Sequence, residues 1–189
     1  MDGALRWSSQ LLAEAGSDDV STQLVSVEGR AVEAPADWRS LRSQENDVGY
    51  VRAENFASPG GASVDEARPY SAHPQLRLNQ WALSGNWTIG PGAILLNAAN
   101  GRIAYRFHAR DLNLVMGPAE RGLSVPFRVL IDGEPPGPAH GIDVDEQGNG
   151  TVTEQRLYQL VRQSEPTADR HFEIAFLDSS VEAYCFTFG

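Results

Sequence analysis

The chain has 189 residues, 41% hydrophobic and 21% charged, a balance that excludes a disordered protein and is too polar for a membrane protein. The formal net charge of −10 disfavours binding to nucleic-acid phosphates. All 15 basic residues are arginine, which excludes lysine-based chemistry, and the single cysteine, Cys185, excludes an intrachain disulfide. The chain starts without the basic and apolar blocks of a signal peptide.

The N-terminal stretch has the spacing of a short amphipathic helix. Leu5, Leu11 and Leu12 would share one face between residues 2 and 16, and Gly16 would end the helix. A helix of this length needs a surface to pack against. Residues 17–75 then read as an irregular connector, rich in Ser, Asp, Gly and Pro, which we expect to be partly extended.

Residues 76–189 consist of short apolar runs separated by turn signals. Asn100-Gly101 and Asp132-Gly133 stand between alternating runs, which is typical of β-hairpins. About ten strands at this spacing predict an all-β domain, a jelly-roll-like antiparallel β-sandwich.

Alternation within the runs predicts which side chains face the core. We expect three inward sets, with Cys185 on the opposite face of its strand. They are Ile103, Tyr105, Phe107 and Ala109; Phe172, Ile174 and Phe176; and Tyr184, Phe186 and Phe188.

Two tryptophans in the first strands are candidates for ligand binding. Trp81 shares strand parity with Asn79, and Trp87 follows Asn86. An aromatic ring beside planar polar groups is typical of sugar binding, because the ring covers C–H faces while the polar groups bond hydroxyls. The alternative is that both indoles belong to the core of the sandwich.

A polar row on the run 102–110 extends this hypothesis. Arg102, Arg106 and His108 alternate with apolar residues and would share one outer face. They could supply hydrogen-bond donors to a saccharide, or they could simply keep an outer face soluble. We predict the five residues Trp81, Trp87, Arg102, Arg106 and His108 as the ligand-binding set.

Catalytic and metal-binding signatures are weak. No G-x-S-x-G motif occurs, and the 4 histidines lack metal-type spacing. The segment Asp143–Gly150 has two interpretations, a short calcium loop or an acidic hairpin. We expect no catalytic residue, no metal ion and no cofactor.

The longer runs carry a family resemblance. The segments LRLNQWALSGNWTIG, GRIAYRFHARDLNLVMGP and VEAYCFTFG resemble the C-terminal domain of DipZ-type proteins. These bacterial thiol:disulfide interchange and cytochrome c biogenesis proteins join a membrane domain, a thioredoxin-like domain and a β-sandwich similar to a carbohydrate-binding module. The resemblance implies that residues 1–16 are the remnant of the last helix of the thioredoxin-like domain, 17–75 the connector and 76–189 the β-sandwich.

The resemblance also implies a function and a place. We expect a non-catalytic accessory module, since the Cys-x-x-Cys motif of the family is absent from this chain, that binds cell-wall or other carbohydrate outside the cytoplasmic membrane. The expected partners are a saccharide and the thioredoxin-like domain, without nucleic acid or membrane insertion. One alternative is a protein–protein docking domain, with an apolar patch from 5–15 and 38–56. A second is a hydrolase on a jelly roll, which needs two carboxylates in a cleft.

Overall fold

The structure, a computed structural model, describes Asp37 and residues 39–72 and 75–189. These residues form an antiparallel sheet of eleven strands that curls into a jelly-roll-like sandwich, which confirms the all-β prediction. The predicted helix at 2–16, the remnant at 1–16 and the connector up to residue 36 lie outside the described residues. Within the described part, no helix has the length and apolar character to cross a membrane.

The strands are short, as the turn signals predicted. In chain order they are β1 (Asn46–Asp47), β2 (Ala67–Tyr70), β3 (Trp81–Ile89), β4 (Ile94–Leu96), β5 (Arg102–Phe107), β6 (Asp111–Pro118), β7 (Val125–Ile131), β8 (Asn149–Val152), β9 (Arg156–Arg162), β10 (Arg170–Phe176) and β11 (Val181–Phe188). A 3-10 turn at Gly137–Ala139 precedes β8.

The strand order β8-β7-β10-β5-β3-β4-β11-β6-β9 places β3 at the junction of two layers. The first half of β3 pairs with β5, and its second half pairs with β4. Between the halves, Gly85 has φ +96°, and a Cβ there would lie 2.8 Å from Gly101 Cα. Glycine is required at this bend because a side chain would meet both the unusual backbone angle and the neighbouring chain.

Aromatic side chains dominate the core between the layers. The largest fully buried ones are Trp81, Trp87, Tyr105, Tyr158, Phe107, Phe127, Phe172, Phe176 and Phe186. The predicted inward sets of β5 and β10 are confirmed, because every member is 0–1% exposed. Burial of each such side chain stabilises the fold by about 1.5–3 kcal/mol.

The prediction for the last strand is wrong at one residue. A β-bulge between Ala183 and Cys185 moves Tyr184 out of the alternation, and its hydroxyl donates to Glu182 Oε2 at 2.6 Å. Phe186 is fully buried. Cys185 lies on the opposite face of the strand, as predicted, and pairs there with Asp47 of β1. A bulge adds one residue to a strand, so strict alternation fails there.

The stretch before residue 76 contributes to the same fold. β1 pairs with β11 and β2 pairs with β3, while Val48 and Tyr70 enter the core. Both strands therefore extend the sandwich that the sequence placed in 76–189.

Candidate functional site

Both candidate tryptophans lie in the core. Trp81 is 1% exposed and Trp87 is 0% exposed. The indole N–H of Trp81 donates to the carbonyl oxygen of Glu54, and that of Trp87 donates to Ser84, each at 2.8 Å. Neither ring presents a face on which a sugar could stack, so of the two alternatives the structure favours a core role.

The predicted arginines lie on the outer face of the β5 layer. Arg102 is 51% exposed and pairs with Glu173 at 3.0 Å, while Arg106 is 38% exposed and lies 3.8 Å from Asp169. These partly exposed pairs contribute little to stability. The structure brings the two arginines together on one face but places them away from both indoles.

His108 has a positioning role in the fold. Its Nδ1 lies 2.6 Å from Asp169 Oδ1, so this nitrogen carries the proton, because a carboxylate can only accept. Its backbone N–H donates to Ser43 Oγ, and its carbonyl accepts from the amides of Arg42 and Ser43. His108 therefore fixes the segment at 42–43 and is itself buried.

That segment forms one wall of a polar cavity of about 280 Å3, which the sequence reading did not anticipate. The cavity lies between the start of β1, the loop at 54–55, the turn at 79 and strand β5. Its lining is polar throughout and consists of Arg42, Gln44, Glu45, Asn46, Glu54, Asn55, Asn79 and Tyr105.

The floor of the cavity is built by Asn46 and Tyr105. The amide of Asn46 accepts from the backbone N–H of Glu54 at 3.2 Å and donates to its carbonyl at 3.3 Å. This double contact orients the amide, so that Nδ2 also donates to the Tyr105 hydroxyl at 3.3 Å. Tyr105 accepts this bond and keeps its own O–H proton.

The proton on Tyr105 has no acceptor among the residues that the structure describes. Burial raises the pKa of Tyr105, with the nearby Cys185 and Glu54 adding to the effect and the Asn46 hydrogen bond opposing it. The phenol is therefore neutral at physiological pH, and it is only 1% exposed. A buried donor without an acceptor is costly unless a bound molecule or water satisfies it.

The rim carries side chains that are available to a ligand. Arg42, Gln44, Glu45, Glu54 and Asn55 are exposed. Within the described ranges, the Arg42 guanidinium and the Glu54 carboxylate make no ion pair or hydrogen bond. The rim thus offers strong donors and strong acceptors side by side.

Backbone anchors hold the rim in place. Trp81 N–H bonds to the Asn55 carbonyl at 3.3 Å, and Asn79 N–H bonds to the Arg106 carbonyl at 2.7 Å. Asn79 also accepts from Ser43 Oγ and donates to the Arg42 carbonyl. Asn55 and Asn79 both have positive φ, 58° and 65°, a conformation that asparagine tolerates better than most residues. The residue type at these two positions is a local signal for such turns in the sequence.

Cys185 lies just behind the rim. Its Sγ is 3.5 Å from Glu45 Oε1, and the thiol, Glu45 and Asp47 form a close group. Burial, together with the carboxylates of Glu45 and Asp47, raises the pKa of Cys185 to about 12. The thiol is therefore protonated at neutral pH and is a poor nucleophile.

The two aspartates of the Asp143–Gly150 segment accept hydrogen bonds from donors of the protein. Asp143 accepts from Arg156 Nη2 at 2.7 Å and from the backbone N–H of Gln159 at 2.8 Å. Asp145 accepts from the backbone of Asn149 at 2.7 Å, and this bond is the main reason that its pKa is lowered. The geometry favours the acidic-turn interpretation over the calcium loop.

The comparisons place the chain in a family. Residues 43–189 match the thioredoxin like C-terminal domain. The chain belongs to this family. The match includes every residue of the cavity lining except Arg42, which directly precedes it. No curated protein matches the sequence significantly.

Two carbohydrate esterases are among the solved structures that match part of the chain. A family two esterase from Clostridium thermocellum, solved with cellohexaose, matches at 13% identity and TM-score 0.40 over 52% of this chain and 27% of its own. One from Cellvibrio japonicus matches at 11% identity and TM-score 0.41 over 56% and 29%. The chain thus spans less than a third of either enzyme, and likenesses at this level do not identify a ligand.

Proposed function

We propose that this domain is the non-catalytic accessory module of a thioredoxin-like thiol:disulfide interchange protein and that it binds carbohydrate. Membership of the thioredoxin like C-terminal domain family supports the accessory role. The observation that carries the binding role is the polar cavity, with the unpaired Tyr105 proton at its floor.

The cavity suits a polyhydroxylated ligand for a chemical reason. A sugar hydroxyl donates one hydrogen bond and accepts up to two, so it pairs well where carboxylates, amides and a guanidinium alternate. Glu45 and Glu54 supply acceptors, Arg42 supplies donors, and Gln44 supplies both. A flat aromatic platform is not needed when the polar groups surround the ligand.

The module is proposed to act without chemistry of its own. The chain has one cysteine and therefore no Cys-x-x-Cys dithiol, and Cys185 keeps its proton at neutral pH. We propose that redox chemistry belongs to the thioredoxin-like domain of a parent protein outside the cytoplasmic membrane, in thiol:disulfide interchange or cytochrome c biogenesis. The β-sandwich would hold that protein to a saccharide of the cell envelope.

A chemical-shift titration of the isotope-labelled chain with cell-wall saccharides tests the proposal. We expect saturable chemical-shift changes in residues 42–46, 54–55 and 79. These changes should be lost in the double variant Gln44→Ala and Asn55→Gly, in which glycine retains the positive φ angle of residue 55. The matched control is Arg128→Ala on the outer face of β7, which should bind normally. Shifts confined to the Arg102–Arg106 face would move the site there, and no shift with any saccharide would refute carbohydrate binding.

The alternative is a docking domain that positions the thioredoxin-like domain or its client. The observation in its favour is a group of exposed apolar side chains, Tyr50 at 38%, Val51 at 66% and Val64 at 51%. The Tyr50 hydroxyl contacts Asp65, next to Val64, so the three lie close together. Saturable binding of a separate thioredoxin-like domain that Val51→Asp abolishes, without saccharide binding, would establish this function instead.

A further inference from the structure

We infer that the cavity takes one terminal sugar residue and that its charges favour an amino sugar over a uronic acid. This inference rests on the proposed function and names the class of ligand for the same site. It depends on three features of the cavity: its size, the signs of the charges at its rim and the direction of the donor at its floor.

The size of the cavity limits the ligand to one residue. Its volume of about 280 Å3 is slightly below the range of roughly 300–1,000 Å3 that ligand pockets span. The walls at 42–46, 54–55 and 79 enclose it on several sides, and Asn46 and Tyr105 close its floor. Because the cavity has room for about one sugar residue, we place a chain end in it, with the rest of the saccharide outside the opening.

The charges at the rim are unbalanced. Glu45 and Glu54 carry two negative charges, and Arg42 carries the single positive charge of the lining. A uronate would be repelled by two carboxylates and attracted by one guanidinium, whereas the ammonium of an amino sugar experiences the opposite balance. The formal net charge of −10 on the chain acts in the same direction at longer range.

The floor fixes which part of the sugar points inward. Tyr105 presents a proton and therefore needs an acceptor, which a hydroxyl or ring oxygen provides and an ammonium does not. The ammonium consequently faces the rim, where Glu45 and Glu54 lie. The backbone of Glu54 is held by Asn46 and by the Trp81 indole, so its exposed side chain extends from a fixed backbone position.

Calorimetric titration with three monosaccharides of the same ring configuration tests the inference: a hexosamine, the neutral hexose and the hexuronate. We expect the hexosamine to bind about three- to tenfold more tightly than the hexose, and the hexuronate to bind more weakly than both. The ratio of hexosamine affinity to hexose affinity should decrease in Glu54→Gln, which removes the charge but keeps the size of the side chain. It should also decrease at high salt. An oligosaccharide ending in the hexosamine should bind no more than about threefold more tightly than the monosaccharide.

The outcomes separate this inference from the function on which it rests. Hexuronate binding as tight as hexosamine binding, or affinity rising steeply with chain length, would overturn the inference and leave carbohydrate binding intact. Absence of binding with all three sugars and with longer saccharides would refute the proposed function itself. Glu173→Gln, on the outer face of β10, is the control, because it removes a carboxylate outside the cavity and should not change the preference.

Discussion

The indole nitrogen of Trp81 donates a hydrogen bond to the backbone carbonyl of Glu54 across 2.8 Å. A core residue thereby holds the loop that forms one wall of the polar cavity. The side-chain amide of Asn46 holds the same residue: it accepts from the Glu54 N–H at 3.2 Å and donates to the Glu54 carbonyl at 3.3 Å. The position of the cavity wall is thus set by the core and not by the loop alone.

This relationship predicts a difference between two tryptophan variants. Trp81→Phe and Trp87→Phe each remove a buried hydrogen bond and some volume, so both should lower the free energy of unfolding by about 1–3 kcal/mol. Only Trp81→Phe removes one of the hydrogen bonds that hold Glu54, and only this variant should weaken saccharide binding. Urea denaturation and calorimetry on the two variants check this; equal effects on affinity would show that the wall does not depend on Trp81.

The buried ion cluster around Asp111 predicts a large effect on stability. Its carboxylate is 5% exposed and lies 2.6 Å from both Arg110 and Arg162. Asp111→Asn replaces the buried carboxylate that binds both guanidinium groups with a neutral amide, so we expect the free energy of unfolding to fall by about 3 kcal/mol. Arg52→Gln breaks a pair whose arginine is 81% exposed and should cost less than about 1 kcal/mol. Thermal and urea unfolding compare the two, and similar losses would contradict the assigned importance of burial.

The closeness of neighbouring backbone predicts that alanine substitutions at two glycines differ in their effect on stability. A Cβ at Gly141 would lie 2.1 Å from the Gln159 carbonyl oxygen, where the chain runs beside β9. Gly141→Ala should therefore destabilise the protein by about 2 kcal/mol or more. Gly92→Ala meets nothing within 4 Å and should remain within about 0.5 kcal/mol of the wild type. Denaturant midpoints of the two variants provide the measurement.

The raised pKa of Cys185 predicts how stability depends on pH. The pKa rises from 9.0 to about 12 on folding, so between these values the unfolded chain has lost a proton that the folded protein retains. The free energy of unfolding should then fall as the pH rises through this window. The fall should be less steep in Cys185→Ala. Native protein should also react slowly with iodoacetamide at about pH 8 and rapidly once unfolded; rapid reaction of the folded protein would contradict the buried, protonated thiol.

Several parts of this structure could be predicted from the sequence, for reasons of local geometry. The alternation in β5 and β10 identified the core faces, because a strand buried on one side leaves a period of two in its residues. Alternation failed at Tyr184, where a bulge adds a residue that no local pattern announces. The alternation of residues also did not show whether Trp81 and Trp87 lie in the core or on a sugar-binding surface, because a buried and an exposed indole leave the same local pattern.

The cavity was missed because its parts are distant in the sequence. Asn46, Glu54, Asn79 and Tyr105 come from four separate segments that only the paired strands bring together. Glu54 and Asn46 belong to a stretch that reads as an irregular connector. The position of Asn46 in the sandwich depends on the pairing of β1 with β11, which lie far apart in the sequence.

The most direct test of the account is calorimetric titration of the wild type and Tyr105→Phe with saccharides that contain a terminal neutral or amino sugar. The variant removes one hydroxyl from the cavity floor, and we expect binding about three- to tenfold weaker than in the wild type. Tyr158→Phe removes a hydroxyl that bonds the turn at 153–154 and should bind as the wild type does. Equal affinity of the wild type and Tyr105→Phe, or no saccharide binding by either, would contradict the cavity as a carbohydrate site.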